Sequence, residues 1–313
     1  MTKRFILSLT IALAAVSANA QFLFRISGKK IKAPSYILGS VHTLPGALLD
    51  SIPEYLEAEA KCQQLYAEFD ISNQQKIAEA QTAGQQAISL PDGKTIFDVL
   101  NMEQMDMLNY RFKEVFNVNF TDSVMKAVWN YQPNVLITTF NLIFTSQEMQ
   151  KHPELGMIGT PIDMFCINRA KQRGLSFGQL DEIQPEDKLK KMRDSLNAKI
   201  DVQVDSLVAF LSDMDHRKQM IADEMNSVAT TGTYWKQGDY NSFAQSEYWI
   251  SQVNKQPELF KARNERWLPK IKTAITEAPT MFVFGAGHLV GPSGVLQLLR
   301  NEGYKVEQIK VKR

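Results

Sequence analysis

An α/β fold built around a central, mostly parallel sheet is what this sequence predicts, and three observations carry that prediction. The segment 36–70 reads as strand, helix, strand. A second apolar strand near the far end of the chain breaks in the same way as the first, YILGSVH at 36–42 and FVFGAGH at 282–288. Between them lies a long stretch of helical composition with few turn signals. With 313 residues and 44% hydrophobic content, the chain has the composition of an ordinary globular protein.

Taken in order, the chain opens with a basic Lys3-Arg4 pair, an apolar run from Phe5 to Val16 and Ala18-Asn19-Ala20. This is the pattern of a cleaved export signal at 1–20, so the mature chain is expected to begin at Gln21 and to act in the periplasm or outside the cell. No later segment is apolar for long enough to span a membrane, and 133–144 reads as a buried helix. Residues 22–32 alternate around Gly28 as a hairpin. Ser35 to Leu38 form a buried strand. Ser51 and Glu54, with Pro53 in the first turn, match a capping box for a helix to about Gln63. Leu65 to Phe69 form the next strand.

Pro91-Asp92-Gly93 marks a turn. Helices are expected from Asn101 to Phe116, over 122–131 and 133–149, from Asp163 to Gly174, through 186–230, and from Pro257 to Thr276. Leu175 to Leu180 is short enough for a strand. Met281 to Phe284 is a strand, Pro292 starts a helix that Gly303 ends, and Tyr304 to Val311 closes with a strand. This gives a single domain over 21–313, with a helical insertion at about 95–275.

Charge excludes some partners. Thirty-five basic and 34 acidic residues leave a net charge of +1, which asks for neither nucleic acid nor an anionic membrane. The two cysteines, Cys62 and Cys166, lie outside any metal-binding spacing. In an exported protein they can pair, and the preferred reading is two small apolar residues on helix faces.

The chemistry concentrates in the histidines. There are four, and His42 and His288 each follow an apolar strand and a glycine, Gly39 or Gly285, by three residues. In open α/β sheets the carboxyl ends of strands border the ligand crevice. Glycine there permits a turn or a close approach. Two such units can bring two imidazoles face to face, and imidazole serves as metal ligand or general base. A two-histidine metal site usually adds a carboxylate. Glu68, in an apolar strand directly after the His42 unit, is the first candidate, with Asp70 second because it shares the same strand face. His152 and His216 lie in polar stretches and read as surface residues, and the four tryptophans show no cage-like spacing.

The two end segments, YILGSVHTLPGALLDSIPEYLEAEAKCQQLYAEFD and FVFGAGHLVGPSGVLQLLRNEGYKVEQI, resemble the TraB/GumN (TraB/PrgY/GumN, Tiki-like) family, which shows two GxxH motifs and a Glu on the strand after the first. LPDGKTIFDVL, IDMFCINRAKQRGLSFGQLDE and ARNERW are looser matches. They bring in Asp163, Asp181, Arg263 and Asn264. Asp181-Glu182 departs from the Glu-Thr pair more common in the family. The resemblance implies an EreA/ChaN-like fold and, from the Tiki branch, a metal-dependent peptidase. It implies that His42, His288 and Glu68 hold manganese or cobalt, with Glu68 as ligand or general base. Arg263 would steady an oxyanion or pair with Asp163 or Asp181. The substrate would be a peptide or a small molecule. Two other readings stay open: a haem- or ligand-binding module of the ChaN-like type, and a metal-free esterase with a histidine base.

Overall fold

The computed structural model describes residues 22–310, apart from 29–30, 156–158 and parts of 72–87 and 183–197. The export signal expected at 1–20, the end of the closing strand at Val311 and part of the helical stretch at 186–199 lie outside the described residues.

Six strands form one mixed sheet: β1 (Leu23–Ser27), β2 (Ser35–Ser40), β3 (Gln64–Ala67), β4 (Ser176–Gln179), β5 (Thr280–Gly285) and β6 (Lys305–Gln308), in the order β4-β3-β5-β2-β1-β6. Neighbours from β4 to β2 are parallel, while β1 runs antiparallel to both β2 and β6. The α/β class is the one the sequence predicts. The late strand β5 inserts between the two early strands, with Leu38 paired to Val283 on one side and Leu65 paired to Met281 on the other.

Central parallel strands covered on both faces need unbroken apolar runs. β2 and β5 are buried at every position. Alternate residues of β5 serve opposite faces. Met281 and Val283 join a core with Leu38, Leu65, Tyr55 and Trp235, whereas Phe282 and Phe284 join one with Ile37, Trp267, Ile271 and Leu299. The first face is covered by α1 (Pro53–Lys61) and α4 (Ile162–Gln172), the second by α9 (Lys261–Glu277) and α10 (Val295–Asn301).

A third core contains no strand residue. It joins α2 (Met102–Phe116), α3 (Pro133–Met149), α5 (Ile200–Ser212) and the first half of α6 (Met214–Gln237). The 24 residues of α6 span roughly 36 Å at the α-helical rise. Met214, Ile221 and Met225 pack in the third core, while Trp235 packs against the sheet. Two short helices, α7 (Tyr240–Gln245) and α8 (Glu247–Lys255), turn the chain back toward α9. Among the described residues no helix is long and apolar enough to cross a membrane.

Several local expectations fail for identifiable reasons. The first hairpin pairs β1 with β2, so its second arm begins at Ser35 rather than before Lys32. Ser51 does not cap α1: its hydroxyl donates to Leu48 O, ending a short 3-10 turn, and Ile52 takes the N-cap position. Residues 122–131 hold only a 3-10 turn at Ser123–Val128. Helix α3 is buried along one stripe, Leu136, Phe140 and Phe144, while Leu142 is 65% exposed. Helix α9 starts at Lys261, after Pro257 has turned the chain, and α10 starts at Val295 rather than Pro292. The strand expected at 175–180 is present as β4, so the helices of the middle stretch reach the sheet in two runs. Both cysteines are buried and free, and burial pushes their thiols above the usual range.

Candidate functional site

Four parallel strands end at one edge of the sheet, and a titratable residue follows each end within three positions. In sheet order these are Asp181 after β4, Glu68 after β3, the 285–288 turn with His288 after β5, and His42 after β2. Register accounts for the alignment. Ser40 is level with Gly285, Ala67 is level with both Val283 and Gln179, and the Asp181 amide donates to Glu68 O at 2.9 Å.

The glycines work by close approach and not by unusual torsion. Gly285 has φ −54°, and a Cβ there would stand 2.9 Å from His42 Nε2 and 3.3 Å from Glu68 Oε1. A Cβ on Gly39 would meet Leu289 Cδ1 at 2.6 Å. The first glycine of the second motif thus leaves the space into which His42 and Glu68 converge.

Each imidazole is anchored through Nδ1. His42 Nδ1 lies 2.8 Å from Asp163 Oδ2, and Asp163 Oδ1 accepts from the Ser40 hydroxyl at 2.8 Å. This bond to Asp163, working against desolvation, raises His42 to about 9. The side chain is 61% exposed, so solvent screens part of that attraction. His288 Nδ1 lies 2.7 Å from Asn264 Oδ1. The Asn264 amide nitrogen donates to His288 O and Ser293 O, at 3.2 and 2.8 Å, which fixes the amide orientation. A neutral acceptor on Nδ1 leaves Nε2 as a bare lone pair. His288 is buried, its ring centroid 4.4 Å from that of Trp267. Desolvation first, then the Arg263 and His42 charges, lower it to about 3.

The carboxylates share one cation. Glu68 Oε1 accepts from the Gly285 amide at 2.6 Å, and Oε2 accepts from Arg263 Nη2 at 2.5 Å. Arg263 also binds Asp181 through Nε and Nη2, and Nη1 approaches His288 Nε2 at 3.2 Å. Helix α9 supplies Arg263, Asn264 and Trp267, with Trp267 four residues after the first and three after the second and so beside both. Trp267 donates to Asp181 Oδ1 at 2.8 Å and lies under the guanidinium, 4.7 Å away.

These groups border a crevice of about 290 Å³. His42, Glu68, Arg263 and His288 line one side; Val228, Trp249, Leu259 and Phe260 supply apolar walls. Asp70 is not among them. The strand ends at Ala67, so the expected period-two alignment with Glu68 is lost, and Asp70 turns to Lys171 at 3.3 Å. Asp163 sits behind His42, and Asp181 and Asn264 sit behind Arg263 and His288. Arg263 pairs with Asp181, and not with Asp163. Three of the four tryptophans, which show no cage-like spacing in the sequence, come to the site: Trp267 backs His288, Trp235 donates to Gly39 O at 2.7 Å, and Trp249 walls the crevice, while Trp129 packs against the third core. Ser40, Trp249 and Phe260 were missed. Ser40 lies inside the first GxxH motif and carried a readable signal; the other two did not.

By donor chemistry, two Nδ1-anchored imidazoles and a carboxylate suit a divalent transition ion. By position the fit is incomplete. His42 Nε2 and Glu68 Oε1 are 3.9 Å apart, and among the described residues no three His, Cys, Asp or Glu side chains already form a metal-gripping group.

The sequence pattern of the TraB/PrgY/gumN family matches residues 22–308. The chain is 22% identical over 330 residues to Metalloprotease TIKI2 of Danio rerio, covering 91% of this chain and 60% of that protein. Over 53 residues it is 47% identical to Metalloprotease TIKI1 of Homo sapiens, covering 16% of this chain and 10% of that one. The chain thus spans 60% of the length of the first of these relatives and matches a shorter part of the second. No solved structure matches it.

Proposed function

Because this chain belongs to the TraB/PrgY/gumN family, we propose that its sheet-edge crevice is the active site of a metal-dependent peptidase on an EreA/ChaN-like frame. The observation that carries this reading is the pair of imidazoles. Each is tethered through Nδ1, and each borders the crevice that also holds Glu68. Such tethering fixes tautomer and ring orientation for a metal ligand. His42, His288 and Glu68 would hold the ion, manganese or cobalt by likeness to the Tiki branch. The relatives' name, metalloprotease, points the same way. When bound, a divalent ion supplies Lewis acidity and an acidified water.

The protein's own groups do the rest. Gly285 N–H holds Glu68 Oε1, and Asp163 holds the His42 ring. Arg263 carries a fixed positive charge beside Glu68, suited to a substrate carboxylate or a developing oxyanion. Trp249, Phe260, Leu259 and Val228 exclude water and favour an uncharged, apolar substrate residue. The export-signal pattern read at 1–20 would place that action outside the cytoplasm.

One observation favours a second reading. The His42–Asp163 pair has the form of a general base with its orienting carboxylate, as a metal-free esterase would need. Metal analysis of the purified protein beside a His42→Ala/His288→Ala double variant, with a peptide-cleavage screen in manganese and cobalt, separates the readings. Stoichiometric metal lost in the variant, and cleavage abolished by a chelator, are expected. Cleavage that survives chelation would transfer the assignment to the esterase.

A further inference from the structure

The Arg263 guanidinium lies among the very atoms that the proposed ion would use. Its Nη2 donates to Glu68 Oε2, and its Nη1 faces His288 Nε2, the one lone pair left to that ring. The remaining oxygen of Glu68 accepts from Gly285 N. Two of the three donors therefore have their outward lone pairs turned to a cation that belongs to the chain. A divalent ion and a guanidinium cannot share His288 Nε2, whose single lone pair serves one partner, and at Glu68, which keeps further lone pairs, the two like charges at a half-buried site repel.

The structure also provides a place for Arg263 to go. Nε and Nη2 both reach Asp181, and the guanidinium lies over the Trp267 ring. Asp181 follows β4, on the side of Glu68 away from His42. Resting on the metal-site reading above, we propose that Arg263 and the divalent ion are mutually exclusive occupants of Glu68 and His288, and that Asp181 is the perch onto which Arg263 shifts when the ion enters. Arg263 is on this account a positioning residue with two settings. Asp181 sets the balance between them without touching the ion.

The test is calorimetric titration of the purified protein with Mn²⁺, for the wild type and three variants. Arg263→Met removes the competitor and should tighten Mn²⁺ binding roughly tenfold or more. Arg263→Lys keeps the charge but loses the planar fork that spans Glu68, Asp181 and His288. It should also bind more tightly than wild type, whereas competition by charge alone would leave it at the wild-type value. Asp181→Asn removes the perch and should weaken binding by a similar factor. In wild-type protein the Arg263 Nε–H nitrogen-15 signal should shift on adding Mg²⁺ or Zn²⁺ as diamagnetic stand-ins, and less so in Asp181→Asn. Should Arg263→Met unfold, Arg263→Lys and Asp181→Asn still decide. Wild-type binding that Arg263→Met and Arg263→Lys match or weaken overturns the exclusion while leaving the metal site intact. Absence of binding in all four proteins, or binding kept in the His42→Ala/His288→Ala variant, overturns the metal reading and this proposal with it.

Discussion

At His288 the identity of a single partner decides what the ring can do. Asn264 Oδ1 accepts a hydrogen bond from Nδ1–H and points Nε2 outward. Asn264→Leu removes that lock and two bonds to backbone carbonyls. Mn²⁺ affinity should fall by about 10–100-fold, and urea unfolding should show a loss of about 1–3 kcal/mol; both are measured on one preparation. Gly285 supplies a sharper test of space. A methyl at Gly285→Ala would meet His42 Nε2 at 2.9 Å, so Mn²⁺ binding should be lost while far-ultraviolet circular dichroism stays that of the wild type. Retained binding would show that His42 and Glu68 do not need this gap. The residues of the row were legible because strand-end glycines and histidines leave local patterns. The aromatic walls were not. Trp249 and Phe260 reach the crevice through tertiary packing, and nothing near them in sequence announces it.

Among elements, legibility followed how local the forces are. Asn101 and Gln104 exchange side-chain and backbone bonds across one turn, so the start of α2 can be read directly. The same logic misassigned Ser51, whose hydroxyl is spent on the preceding turn. Helices α7 and α8 were missed although Asp239 and Ser246 cap them through Ser242 N and Trp249 N; the helices are too short for periodicity to show. Helix α6 is the element whose end matters most to the site. Trp235 Nε1 donates to Gly39 O across the first motif. Trp235→Phe keeps most of the packing and leaves that buried carbonyl unpaired, at a cost of about 1–3 kcal/mol. Urea denaturation should show the loss, and a change within error would assign Trp235 to packing alone.

Across the whole molecule, the sheet's class was legible and its order was not. Apolar runs identify buried parallel strands, but no local signal states that β5 separates β2 from β3. The three cores divide the labour of stability: two sandwich the sheet, and the third holds α2, α3, α5 and the first half of α6. Phe140, fully buried in that third core, is the place to probe the division. Phe140→Ala should destabilise by about 3–5 kcal/mol. Hydrogen exchange should then quicken first in α2, α3 and α5, while the amides of β2 and β5 remain protected. Uniform loss of protection would mean that the cores unfold as one.

The place of β5 in the sheet also governs timing. Gln64 and Thr280, bonded to each other across β3 and β5, are 216 positions apart. A chain made from its amino end carries His42 and Glu68 long before Gly285 exists to tether the carboxylate or His288 to stand beside it. Pairings this distant form late and slowly. On the proposed reading the row stays incomplete throughout synthesis, until a strand made near the end takes its place between two made near the beginning.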